Sequence, residues 1–476
     1  MDFQIKPPPI ITFQQYYESI HLTDTVKTHG KVTQVVGLLI ESEGPAVKVG
    51  EICNIFSKGN PVPTKAEVVG FKRNKVLLMP LGEMSGISPG CEVQSTGKPL
   101  MVKVGEALRG RVLGGLGLPI DGLGPIDAED EVPIYRDPPN PITRPRINRV
   151  LPLGVRAIDG LLTFGRGQRI GIFAGSGVGK STTLSMIARN TQADVNVLAL
   201  VGERGRELRD FLERDLGEEG MKRSVVVVAT SDQPALVRLK GAYVGTAVAE
   251  YFRDKGYDVM LMMDSVTRFA MAQREVGLSV GEPPATKGYT PSVFALLPKL
   301  MERSGTSKHG TITGIYTVLV EGDDMNEPIA DATRGILDGH IELSRKIAAR
   351  NHYPAINIPT SVSRLFPEVA TKEHQEAAGK LREVLSIYEK NEDLINIGAY
   401  QKGSSRKVDW AIDKIDDVND FLKQGIFEPA PFEEVINRLI ALFGEPEPVE
   451  EEPQEEQPQQ QTYGQPGGFM GGPPMM

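Results

Sequence analysis

At 476 residues the chain has room for about three domains of ~150 residues each and for a large buried core, which excludes a small scaffold held by staples. Apolar residues make up 40% and charged residues 24%, the balance of a soluble globular enzyme, and a formal charge of -9 argues against a generally basic nucleic-acid binder. Seven glutamates and no Lys or Arg lie from Gly444 onward, so the rest of the chain carries only -2.

Cys53 and Cys91 stand alone, without a CxxC pair, and the six histidines form no ligand-spaced cluster. Neither a disulfide framework nor a zinc site is supported, and two buried or idle thiols in a reducing cytosol are expected. The start, "MDFQIKPPPI", lacks a basic region followed by an apolar one, and no apolar run approaches the ~18 residues of a spanning helix. By its own signals the chain is expected to be neither secreted nor membrane-spanning.

In chain order, residues 1–25 hold a proline run and "ITFQQYYESIHLTDT", either a short amphipathic segment that docks on a partner or a frayed terminus. Over 26–96, short β-branched runs such as "KVTQVVGLLIES" and "KAEVVGFKRNKVLLM" alternate with Gly and Pro turns, which predicts a small closed β-barrel. The Pro- and Gly-rich stretch that follows, from "GGLGLPID" to "ITRPRI", cannot sustain long helices or central strands and reads as a linker wrapped on the next domain. Within 97–370, the runs "QRIGIF", "VNVLALVG", "SVVVVAT", "DVMLMMD" and "TITGIYTVLV" alternate with helical patterns, so the fold class is α/β with a mostly parallel sheet covered on both faces. Residues 371–443 have helical periodicity and little strand character. The tail 444–476, rich in Glu, Pro, Gln and Gly, is expected to be disordered.

The stretch "GIFAGSGVGKSTTL" reads as strand, glycine turn and helix start. It matches GxxxxGK[ST] except that Ala174 takes the first glycine position, a mild departure where that residue keeps a negative φ. Gly175, Ser176, Gly177, Val178, Gly179, Lys180, Ser181 and Thr182 are the candidate nucleotide-binding residues: backbone N–H groups for phosphate oxygens, Lys180 for the β and γ phosphates, and the Ser181 hydroxyl for magnesium. Asp264, closing "DVMLMMD", is the strand-end carboxylate for the metal's water shell. "VGERGRELRDF" offers Glu203 as a base at the tip of another strand, with Glu207 a turn later.

These residues resemble a known group. "FAGSGVGKST", "VGERGRELRDF", "MMDSVTRFAMAQREVGLSVGEPPATKGYTPSVFALLPKLMERSG" and "YPAINIPTSVSR" are similar to the type III secretion ATPases, most specifically the flagellar export ATPases, relatives of F-type and V-type rotary ATPase catalytic subunits. "FAMAQREVG" and "ATKGY" are closer to flagellar than to virulence-secretion members. The resemblance, over about Gly30 to Phe443, implies a homohexameric ring with sites between subunits, each built of a β-barrel, a RecA-like P-loop core and a helical domain. It implies ATP and Mg2+ as ligands, Lys180 and Ser181 on phosphate and magnesium, Glu203 as general base, and Glu207 with Asp264 organising the metal. Arg364, in "SVSR", matches the arginine finger that reaches a neighbour's γ phosphate, and Tyr353 matches an adenine-stacking aromatic. The implied partners are a stator-like regulatory subunit at the first ~20 residues, a central-stalk-like export protein, export-gate membrane proteins and chaperone–cargo complexes. The implied location is cytoplasmic, peripheral to the inner-membrane gate. The acidic tail departs from the family pattern.

Three rivals share parts of this chemistry. A rotary synthase catalytic subunit carries an acidic lever where this chain has "NIGAYQKGSSRKVDW". An RNA translocase with a similar ring needs a basic, aromatic-studded channel, which the nearly neutral body does not offer, so no nucleic-acid partner is expected. A non-catalytic ring subunit typically lacks the base carboxylate, which Glu203 supplies.

Overall fold

The computed structural model describes residues 28–444, together with Phe13 and Tyr17 and without the side chain of Asp323. Apart from Phe13, Tyr17 and Gly444, the expected partner-binding segment 1–25 and the acidic tail lie outside the described residues.

Six strands, β1 (His29–Val36), β2 (Leu39–Glu43), β3 (Glu51–Phe56), β4 (Thr64–Lys72), β5 (Lys75–Pro80) and β6 (Glu92–Pro99), close into a barrel in the order β1-β2-β5-β4-β3-β6. Alternation of apolar and polar residues decides which side faces in: Ile40, Cys53, Ile55, Val68, Leu78 and Val93 fill the interior. The β4–β5 hairpin turns on Arg73 and Asn74, both with positive φ, the twist that a two-residue turn needs. Both thiols are free and buried, and burial pushes Cys53 up to about 12.

Past a small ladder of β7 (Met101–Val104) and β9 (Asp130–Pro133), the chain builds the central sheet. Its order is β17-β16-β10-β15-β13-β11-β12-β8, from β8 (Val112–Gly114), β10 (Arg169–Ala174), β11 (Val195–Val201), β12 (Ser224–Ala229), β13 (Asp258–Asp264), β15 (Thr311–Leu319), β16 (Gly339–Leu343) and β17 (Val362–Ser363), with β14 (Gly305–Thr306) paired beside β15. The pairs from β16 to β8 are parallel. All seven residues of β11 are buried, as a strand covered on both faces requires. The glycine- and proline-rich linker holds one short strand, β9, which pairs with β7 outside the central sheet; β8, which leads into the linker, takes one edge of that sheet, and β17 runs antiparallel at the other. Strand β16 is not among the apolar runs of the sequence, because in "GHIEL" the polar His340 and Glu342 alternate with the buried residues and leave no continuous apolar stretch over five residues.

Helices Lys372–Asn396, Arg406–Leu422 and Phe432–Phe443 form the helical domain. Leu381, Val384, Ala411, Val418 and Phe421 share one core with Ile158 and Leu161 of helix Arg156–Leu161. Polar contacts fix the joint: Gln424 accepts from Arg156 N–H at 2.7 Å and donates to the Gly154 carbonyl at 3.0 Å. Gln424 N–H also donates to the Tyr353 carbonyl at 3.0 Å, so the helical domain holds the backbone of Tyr353.

The barrel is joined to the sheet domain by a buried ion pair. Lys240, fully buried within helix Ala235–Asp254, sits 2.5 Å from Glu67 of β4 and contacts the Tyr135 hydroxyl. Burial pushes the Glu67 carboxyl up while Lys240 pulls it down, and burial prevails. Removing one partner strands the other charge, so Lys240→Ala is expected to cost about 3–5 kcal/mol, seen as a lower urea midpoint. Lys240→Met paired with Glu67→Gln should recover most of that loss.

Candidate functional site

Because β10, β11, β13 and β15 are parallel, the loops that leave their carboxyl ends gather on one side of the sheet. β10 ends at Ala174 and runs into the glycine loop, which turns at Gly177 (φ +78°) and Gly179 (φ +90°) before helix Lys180–Asn190. Ala174 is the last strand residue and has no positive φ, so alanine fits there without strain. The start of this eleven-residue helix faces the loop with unpaired N–H groups and the positive end of its dipole.

Glu203 follows β11 and Asp264 closes β13, and both reach Lys180. The ammonium contacts Asp264 Oδ1 and lies 3.5 Å from Glu203 Oε1, while the Thr317 hydroxyl of β15 donates to Asp264 Oδ1 at 2.6 Å. Burial works against the Lys180 charge, but the Asp264 and Glu203 carboxylates outweigh it and hold the ammonium above its ordinary value. Glu203 is pushed up by burial and by the neighbouring Asp264 charge, against the pull of Lys180 and Arg268.

The cleft around them has a volume of about 610 Å³, within the ~300–1,000 Å³ usual for small-molecule sites. Gly175, Ser176, Gly177, Gly179, Lys180, Ser181, Thr182, Glu203 and Glu207 all line it. Val178 turns its side chain into the core at 2% exposure, so only its backbone belongs to the cradle. The Tyr353 ring lies beside the loop, 3.7 Å from where a Gly179 side chain would begin, and is 43% exposed.

Among the charged residues of the cleft, Arg268, Arg345 and Glu321 escaped the sequence reading. Arg268 sits one helical turn past Asp264 in "DSVTRF", and its stem packs on Gly202, where a side chain would come within 2.8 Å of it. Its Nε is buried and makes no hydrogen bond among the described residues. A buried guanidinium nitrogen without a partner, next to a lysine and a glycine cradle, fits an anionic ligand. No group of three or more His, Cys, Asp or Glu that could cage a metal occurs among the described residues. The donor set fits an ion shared with phosphates and water through Ser181, Glu207 and Asp264.

Arg364 is not brought to this cleft. Ser363 pairs with Gly339 at the start of β16, and Arg364 N–H donates to the Asp338 carbonyl at 3.0 Å. Since Gly171 pairs with His340, the arginine leaves the sheet near the beginning of β10. About four strand residues, or ~13 Å, separate that level from Ala174 and the loop beyond it. Arg364 is exposed there.

A phosphate-binding glycine loop on a parallel sheet, with two carboxylates on its lysine, defines a P-loop nucleotide-binding protein. The sequence matches three family models: the ATP synthase alpha/beta family β-barrel domain over residues 32–97, the nucleotide-binding domain of that family over 154–363, and the T3SS EscN ATPase C-terminal domain over 370–441. It is 58% identical to the flagellum-specific ATP synthase of Bacillus subtilis, covering 91% of this chain and 99% of that protein. It is 51% identical to the type 3 secretion system ATPase of Xanthomonas euvesicatoria, covering 87% and 94%. The fold is similar to the assembled ATPase EscN of the enteropathogenic E. coli type III secretion system, with a TM-score of 0.83 and 45% identity over 87% of this chain and 99% of that one. A second structure of EscN, in complex with its central stalk EscO, matches with a TM-score of 0.81 at 44% identity, again over 87% and 99%. The chain belongs to the family of flagellum-specific ATP synthases and type 3 secretion system ATPases, and it is a P-loop ATPase.

A side chain at Gly179 would have to adopt a positive φ beside the Tyr353 ring. Gly179→Ala is expected to strain the loop by about 1–2 kcal/mol, and titration with a fluorescent ATP analogue should show about tenfold weaker binding, with the unfolding temperature lowered by no more than a few degrees.

Proposed function

We propose that this chain hydrolyses ATP as a homohexamer at the cytoplasmic mouth of the flagellar protein export gate, with each site completed by a neighbouring copy. The observation that carries this reading is the separation of Arg364 from Lys180 along the polarity of the sheet. One protomer holds the triphosphate and another supplies the arginine. The flagellar assignment over virulence secretion rests on "FAMAQREVG" and "ATKGY" and on the higher identity to the Bacillus subtilis protein.

In this mechanism the backbone N–H groups of Gly175–Gly179 and the start of helix Lys180–Asn190 hold the phosphates. Lys180 exchanges its carboxylate partners for the β and γ phosphate oxygens. Tyr353 stacks on the adenine, and Arg268 adds a second cation within the cleft. Magnesium, held by Ser181 and by waters on Glu207 and Asp264, would neutralise charge on the β and γ phosphates. Glu203 orients the attacking water and takes its proton; its raised pKa makes it a stronger base than a free glutamate. Arg364 of the adjoining subunit stabilises charge that develops on the transferred phosphoryl group, an effect worth about 10³–10⁵ in rate. Turnover moves subunits between open and closed forms, and the pull of this cycle releases cargo from its chaperone.

The partners proposed with this role are a regulatory subunit at the first ~20 residues, a central-stalk protein, export-gate membrane proteins and chaperone–cargo complexes. A stalk partner is supported by the EscN–EscO structure. No described helix is long and apolar enough to cross a membrane, so membrane attachment is assigned to those partners.

Glu203→Gln should bind ATP with unchanged affinity and hydrolyse it at least about 10²-fold more slowly, measured by phosphate release. Because Glu203 must be ionised to act, kcat should fall as the pH drops through a value above the ~4.3 of an ordinary glutamate. Mixing Lys180→Ala with Arg364→Ala subunits should restore part of the activity that neither has alone. Absence of rescue at every mixing ratio would remove the shared site.

A further inference from the structure

A second polar pocket lies at the opposite end of the sheet. Its volume is about 390 Å³, and it opens where Asp258 begins β13 and Thr311 begins β15, the ends remote from the glycine loop. Arg146, Arg149, Arg166 and Lys308 line it against one carboxylate, Asp258, and His309 stands at the rim. Asp258 is already engaged: Arg166 contacts it, Arg149 approaches at 3.5 Å and the Thr311 hydroxyl donates to it at 2.7 Å. Arg146 and Lys308 are exposed and have no carboxylate partner among the described residues. The pocket therefore presents a local excess of about three positive charges on a body that is otherwise nearly neutral. Like charges gathered at one mouth repel one another unless an anion lies between them.

The same chain supplies a complementary segment. Glu445, Glu447, Glu450, Glu451, Glu452, Glu455 and Glu456 are joined by no Lys or Arg through to Met476. Prolines at 446, 448, 453 and 458 favour an extended chain that loses little entropy when it is laid in a groove. The tail leaves from helix Phe432–Phe443, whose Val435 lies against Gly160 of helix Arg156–Leu161. That short helix starts seven residues after Arg149. Twelve residues separate Gly444 from Glu456, about 40 Å when extended, which exceeds the ~30 Å diameter of a small domain. A second copy is a weaker match: the exposed acids of the segment 205–222, on the nucleotide side, are interleaved with Arg206, Arg209, Arg214 and Lys222.

We propose that the acidic stretch Glu450–Glu456 docks in the basic pocket lined by Arg146, Arg149, Arg166 and Lys308. Its glutamates pair with Arg146 and Lys308, the two cations of the pocket without a carboxylate partner among the described residues, while Arg166 stays on Asp258. The docked tail occupies the end of the sheet that also carries Arg364, away from the nucleotide.

The test is zero-length carbodiimide cross-linking of the full-length protein, with linked peptides read by mass spectrometry. Lys308 should join a glutamate between Glu450 and Glu456 at low salt. The yield should drop about fivefold at 0.5 M NaCl, where the Debye length falls to a few ångströms, and equally in the Arg146→Glu/Arg149→Glu variant, whose ATPase rate and melting temperature should match the parent. The proposal is overturned if other lysines link to the tail and Lys308 does not. It is equally overturned if the Lys308 link survives both charge reversal and salt. Retention of a polyphosphate probe by the pocket with no tail link at low salt would assign it to an external polyanion instead.

Discussion

The polarity of one parallel sheet governs the rest of the structure. Strands that run the same way deliver their following loops to one end, and that end collects the glycine loop, Glu203, Asp264 and Thr317 around Lys180. The residues that precede the strands collect at the other end, where Arg364 sits on the Asp338 carbonyl. In the proposed mechanism an arginine and a lysine that meet the same phosphate are thus built into opposite ends of a rigid, buried plate. No side-chain rotation joins them, and only a second plate set end to face does. With that role for Arg364, the sheet's direction calls for a second subunit at each site.

Electrostatics at the nucleotide end follow from the same crowding. Three strand ends place two carboxylates on one ammonium in a poorly solvated cleft, and each shifts the others: Lys180 is held charged, while Glu203 is pushed toward the neutral form by burial and by Asp264. In the proposed mechanism a triphosphate relieves the arrangement by taking the lysine and leaves Glu203 as the base. Arg268, with a buried Nε that has no partner among the described residues, would share the charge. The adjoining domains hold this frame from both sides: the barrel through Lys240 and Glu67, the helical domain through Gln424 on the Tyr353 carbonyl.

What could be read from the sequence divides along lines of chain distance. The glycine loop, Glu203 and Asp264 each follow an apolar run directly, so local pattern placed them at strand ends, and parallel order then brought them together. Arg268 carried a signal as well, one helical turn past a strand-end aspartate, but nothing local separates such an arginine from a solvated one. Arg345 and Glu321 enter the cleft from β16 and β15, whose adjacency to β10 is a matter of topology. Tyr353 and Arg364 were visible only through family resemblance, since their positions depend on pairings nearly two hundred residues apart. Lys240 ran against pattern altogether: a lysine in a long helix is expected on the wet face, yet this one is fully buried because Glu67 arrives from another domain.

The most direct measurement is a structure of the assembled ring with magnesium, ADP and aluminium fluoride, a mimic of the phosphoryl group in transfer. The account predicts the guanidinium of Arg364 within hydrogen-bonding distance, about 3 Å, of the fluoride in the neighbouring subunit's cleft, with Lys180 of that subunit on the same group. A fluoride held by Lys180 with every Arg364 in the ring turned to solvent or to its own chain would contradict it.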